Sequence, residues 1–171
     1  MGLRYAFLCG VLISVFCLSL PVGAISKAQE AAIRDNCESI RDDLKNVQKS
    51  DARARVYLGG RFESILNEYV VPLNMRLVEN NLSTTGLIES QNTIASGKLK
   101  FANEYVEYQQ RLEELVAMDC KSNPGEFYDK LTSMRRKRKR VEQDVQELRT
   151  AIGEYAKRVT KLKGDLNVEA K

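Results

Sequence analysis

From Asn123 to Leu166 the apolar side chains recur at alternating steps of four and three: Phe127, Leu131, Met134, Val141, Val145, Leu148, Ile152, Tyr155, Val159, Leu162 and Leu166, with Arg138 in the one remaining place. Eleven of twelve seam positions are thus apolar in a chain that is 43% apolar overall, the pattern of a helix packing along a heptad seam. Asn123 suits an N-cap and Pro124 the first helical position, so the spacing predicts a helix over 124–166, about 60 Å long at 1.5 Å per residue.

Two earlier stretches share the period. Ser26-Lys27-Ala28-Gln29 fits a capping box, and Ile33, Cys37, Ile40, Leu44, Val47, Asp51, Ala54 and Leu58 again step by four and three. Gly59-Gly60 costs roughly 2 kcal/mol of helix propensity, yet Phe62, Ile65, Leu66, Tyr69 and Val70 resume the apolar face beyond it. A bend is expected at 59–60 and a kink at Pro72, which lacks an amide donor. Asn80 to Gly86 reads as a reversing loop. The next helix carries Leu87, Gln91, Ile94, Lys98, Phe101, Tyr105, Tyr108, Leu112 and Leu115 on one seam and Ile88, Ala95, Leu99, Ala102, Val106 and Val116 beside it. So wide an apolar face suits a middle helix touching two neighbours.

The expected fold is all-α: an elongated antiparallel three-helix bundle or coiled-coil hairpin following an N-terminal signal segment, with helices over about 26–79 (kinks near 59–60 and 72), 86–119 and 124–166. Residues 25–171 form a single helical domain in this reading.

Residues 1–24 change the compartment. Arg4, the apolar run Tyr5 to Leu20 and the small residues of Pro21-Val22-Gly23-Ala24 read as a secretory signal cleaved after Ala24, or as a retained membrane anchor if uncleaved. Its removal leaves Cys37 and Cys120, for which a disulfide is the expectation in an oxidising compartment. Straight antiparallel rods would leave the two sulfurs offset by about 13 Å, so bond and kinks stand or fall together.

The charge is unevenly placed: Ile25 to Cys120 holds 12 basic and 15 acidic residues, Lys121 to Lys171 holds 14 and 8. Within the last helix Arg135, Arg136, Lys137, Arg138, Lys139 and Arg140 run consecutively and are the candidate polyanion-binding residues, for anionic lipid, cell-wall polymer or extracellular nucleic acid. The simpler reading is a solvated stretch whose alkyl stems cover the seam. Arg138, on the seam itself, needs either Asp51, an acidic residue of the facing helix, or an opening in the bundle.

Histidine is absent from the sequence, which excludes Ser-His-Asp and Cys-His constellations within the chain. Two cysteines are too few for a zinc site, and neither a metal nor a cofactor is expected. Asp42-Asp43 and Glu113-Glu114 read as solvated face rather than catalytic pairs, and Tyr69, Tyr105, Tyr108 and Tyr155 as amphipathic core. No catalytic residue is assigned.

The signal, Cys37 early in a first helix, and Cys120-Lys121-Ser122-Asn123-Pro124-Gly125-Glu126-Phe127-Tyr128 opening a long basic helix together resemble the small exported two-cysteine helical proteins of candidate-phylum bacteria. The resemblance implies a bacterial, exported, all-helical protein and nothing about mechanism.

The functional expectation is a non-enzymatic spacer or adaptor of the bacterial envelope or cell surface, working as a monomer on a protein partner, with a homodimer left open. The alternatives are a polyanion- or membrane-surface-binding protein acting through residues 135–140, and an exported regulator of a cell-wall enzyme.

Overall fold

The computed structural model describes residues 25–169, so the expected signal segment lies outside the described residues. Among them the chain is all-α: α1 Lys27–Asp35, α2 Cys37–Ser64, a π-helical stretch Ile65–Val70, α3 Val71–Glu79, α4 Thr85–Ala117 and α5 Pro124–Glu169.

The start of α1 is the capping box the sequence spells: the Gln29 amide donates to Ser26 Oγ at 3.2 Å and the Ser26 amide donates to Gln29 Oε1 at 3.0 Å. A break that the apolar period conceals follows at Asn36. Its backbone and side-chain nitrogens both donate to the Ala32 carbonyl, at 3.1 and 2.9 Å, so the asparagine closes α1 with its own amide before α2 begins.

Of the two expected irregularities, the one at Gly59-Gly60 makes no break in α2, and the one at Pro72 falls just before the proline. Gly59 and Gly60 stay within α2, held by Phe62 and Leu58 in the core on one side of the helix. Packing outweighs the glycine penalty there. The irregularity lies at Ile65–Val70, where the chain widens and the Val71 amide donates to Leu66 O, five residues back. That turn precedes Pro72 and leaves room for a ring that would otherwise press on the preceding turn. It also resets the face. Phe62, Leu66, Val70 and Asn74 are all buried at steps of four, which in an α-helix would drift about 40° per step. A π turn rotates less per residue and keeps them aligned.

The loop after α3 is a Schellman motif. Asn81 takes the left-handed conformation at φ 55°, its amide donates to Val78 O at 3.0 Å and the Leu82 amide to Leu77 O at 2.9 Å. Between α4 and α5, Asp119 accepts from the Lys121 amide and from Ser122 Oγ, at 2.9 and 2.6 Å, and Pro124 is the first residue of α5 as expected.

Cross-arm contacts nest around these two turns. Asn74 meets Gln91, Glu63 meets Lys98, Asp51 meets Tyr108, and Arg41 reaches Met118 O, so the first arm runs antiparallel to α4. Lys100 meets Glu147, Lys137 meets Glu104 and Arg111 meets Ser133, so α4 runs antiparallel to α5 along most of its length. Cys37 and Cys120 are joined, with Cα atoms 5.6 Å apart. The expected offset is taken up without a break at the glycines. Met118 leaves α4 in extended backbone (ψ 143°), which lengthens that arm by about 2 Å over a helical residue, and the π stretch shortens the first arm.

The side stripe of α4 packs only in part. Ile88, Leu99 and Val106 are exposed, Ala95 and Val116 pack against the core, and Gly97 faces Leu148 of α5. A Cβ on Gly97 would stand 3.2 Å from Leu148 Cδ1, so the two helices approach closely at this glycine.

Candidate functional site

The seam arginine has a partner, and it is Asp51. Arg138 donates from Nε to Asp51 Oδ2 at 2.8 Å and from Nη2 to Oδ1 at 3.1 Å, a two-point pairing across the bundle. Tyr108, buried on α4, donates its hydroxyl to Asp51 Oδ2 at 2.7 Å. Partial burial pushes the Asp51 carboxyl up, but the bonds from Arg138 and Tyr108 outweigh it and hold the group below its ordinary value. Burial, and then the Asp51 carboxylate, push the Tyr108 phenol well above its usual range. Each member is thus fixed in one protonation state at neutral pH. The trio ties three helices together and has no group poised to exchange a proton.

The same layer is open to solvent. No Cα of α2 comes within 8 Å of one of α5, and the Arg138 side chain remains 44% exposed. Beside it lies a cleft of about 200 Å³ with Leu58, Phe101, Tyr105 and Val141 among its walls. Arg55 stands over the Tyr105 ring there, 5.5 Å from its centre. So Asp51 reaches Arg138 and the bundle is also open there.

The basic run divides by geometry. Lys137 turns inward against α4, only 12% exposed, and donates to Glu104 and Glu107 at 2.7 and 2.6 Å; these bonds raise its pKa and hold Glu107 low. With Arg138 also engaged, two of the six charges serve the fold. Arg135, Arg136, Lys139 and Arg140 are exposed and make no ion pair among the described residues. At 100° per residue these four fall within about 140° of one another, on one outward face about one and a half turns long. Such a face can meet several anionic groups of one polymer or surface at once.

Several polar sites on the inner faces escape a reading based on apolar period. Asn74 is 3% exposed and its Nδ2 donates to Gln91 Oε1 at 2.8 Å. Tyr155 donates to Asn74 Oδ1 at 2.8 Å, with Val70 O at 3.3 Å. Asp144, 4% exposed, pairs with Lys100 at 2.8 Å, and Glu147 joins them at 2.9 Å. The Asn74 position continues the step-of-four series from Phe62, which is the one signal that marks it in the sequence. Of the four tyrosines expected in the core, Tyr105, Tyr108 and Tyr155 are buried, but Tyr69 points outward, 67% exposed, as does Tyr57. Asp42 bonds Lys45 at 2.9 Å on the surface, while Asp43, Glu113 and Glu114 are exposed, so neither adjacent acidic pair is enclosed.

No protein-family model matches the chain, and neither a curated protein nor a solved structure gives a match.

Proposed function

We propose that this protein is an exported, non-enzymatic helical spacer or adaptor of the bacterial envelope or cell surface, its three arms acting as one elongated bundle that works by protein contact. The observation that carries this reading is the outward apolar face on α2 and α4, where Val56, Leu99 and Val106 are 70%, 61% and 47% exposed. Exposed residues of this kind at helical spacing suit another helix. The Cys37–Cys120 bond supports the export part of the reading, since such bonds persist in oxidising compartments. A photo-crosslinking residue placed at Leu99 should give a discrete protein adduct in intact cells, and one placed at Lys161 should not. Adducts from Lys161 alone, or from neither site, would overturn it.

A second reading is favoured by the face formed by Arg135, Arg136, Lys139 and Arg140. In it the protein binds a polyanion, whether lipid headgroup, cell-wall polymer or nucleic acid. Retention on anionic liposomes or DNA should fall steeply with salt and should vanish when all four residues become glutamine. Retention unchanged in that variant would dismiss it.

A further inference from the structure

Gly59 and Gly60 are costly residues in a helix interior, second only to proline, and the chain gives no internal reason for them. A Cβ built on either meets nothing within 4 Å, in contrast to Gly97, which Leu148 crowds at 3.2 Å. The space they leave lies on the outside. With Leu99 and Ala102 of α4 they floor a depression of about 440 Å³ bordered by Val56 and Glu63. Small residues on a helix surface lower the distance at which a second helix can pack.

Two of the cations bordering the depression are engaged within the chain, Arg55 over the Tyr105 ring and Lys98 with Glu63, so the charges left to choose a partner lie along α2. Lys49 and Glu63 stand seven residues before and seven after Val56, two turns each way on the same side of α2. Lys49 is exposed and has no ion pair among the described residues. Glu63 bonds Lys98 and Asn67 yet stays half exposed. A two-fold axis at Val56 that lays α2 antiparallel on α2 sets each Lys49 opposite the other copy's Glu63. The same operation sets Ala52 of each chain against Gly60 of the other. At these positions the patch matches itself, a cation against a carboxylate and one small residue against another, as an isologous interface requires.

We infer that this face docks a second copy of the same chain, α2 against α2 about an axis at Val56. The inference rests on the protein-contact reading above and names its partner. The patch is two helices wide and about 20 Å long, at the lower end of specific interfaces, so the dimer dissociates on dilution, with a Kd on the order of 100 µM.

Sedimentation equilibrium of the oxidised protein across roughly 5 to 500 µM tests it. The expected mass rises from monomer towards dimer. Val56→Cys should crosslink the two copies on mild oxidation, and Lys161→Cys should not. Gly60→Leu should remain monomeric at every concentration with an unchanged or raised Tm, because the added side chain has room in the monomer and none in the dimer. A wild-type chain still monomeric at the highest concentration, or Gly60→Leu dimerising as wild type does, would overturn the inference. In the first case an adduct between Leu99 and a different protein would preserve the contact reading while discarding self-association.

Discussion

The two halves of the bundle are held by different means, and the Asp51–Arg138 layer is the border between them. On one side Ile33, Leu44, Leu112, Leu115 and Phe127 pack around the Cys37–Cys120 bond. On the other Phe62, Leu66, Ile94, Phe101 and Leu148 pack around a first arm interrupted by the π-helical turn. The buried polar residues among those described, Asn74, Thr84, Ser90 and Asp144, all fall in this second half. An apolar seam alone specifies register weakly, because a slip by one heptad replaces one hydrophobic contact with another. The first half has a covalent pin and needs no polar one. The second relies on directional bonds, Tyr155 to Asn74 and Asn74 to Gln91, which survive only in one register.

The sharpest way to break this division is to remove the pin. Cys37→Ser with Cys120→Ser, or reduction of the wild type, releases a constraint between residues 83 apart and should cost roughly 4 to 5 kcal/mol by the chain-entropy account. Hydrogen exchange should show the loss first in α1, the start of α2 and the end of α4. Amides around Asn74 and Tyr155 should hold until global unfolding. A uniform loss of protection would mean that the two halves are one cooperative unit.

The border comes next in size. Asp51→Ala leaves the buried Tyr108 hydroxyl without its acceptor and the half-exposed Arg138 guanidinium to solvent, and should destabilise by about 2 kcal/mol, read by urea unfolding at pH 7. The effect carries its own pH signature. The folded-state pKa of Asp51 is lowered from 3.8, so the unfolded chain binds the proton more readily and stability rises with pH through that window. The contribution is present above about pH 4 and is lost as pH falls through the lowered folded value. Wild type and variant should therefore converge in acid.

How far these features were legible in the sequence follows the same border. Heptad spacing, the capping box and two turn-forming clusters suffice for three arms, their order and the cysteine pair, because each is a local or periodic signal. Asp51 and Arg138 were visible as two polar intruders in apolar seams, and their pairing follows once the arms are aligned. The π stretch was not legible, since Pro72 announces that the helix must change but not on which side or by how much. Nor was the split of the basic run. Whether Lys137 or Lys139 turns inward depends on the rotation of α5 against Glu104 and Glu107, a tertiary quantity that six consecutive like charges cannot encode. The side stripe of α4 misled in part, at Ile88, Leu99 and Val106, for a related reason: apolar width shows that a face is available, not that this molecule covers all of it.

In the second half, Tyr155→Phe removes one hydroxyl and leaves Asn74 Oδ1 buried without its donor, an expected loss of about 1.5 kcal/mol. The change should lower protection in α3 and the end of α5 while sparing the disulfide end. Equal loss at both ends would erase the distinction between the halves.

The smallest effect has the opposite sign and tests the junction. Gly59→Ala and Gly60→Ala each replace a residue in helical backbone with one that loses less entropy on folding. Neither new methyl meets a neighbour within 4 Å. Each should raise stability by about 1 kcal/mol or slightly less, measured on dilute protein where association does not contribute. Because the pair sits just beyond Asp51 on α2, the stiffened helix should also join the exchange behaviour of the two halves, bringing protection around Arg55 closer to that around Phe62. A loss of stability in dilute solution would mean that the glycines serve a close approach within the single chain. The open space outside α2 would then have no claim on a second copy.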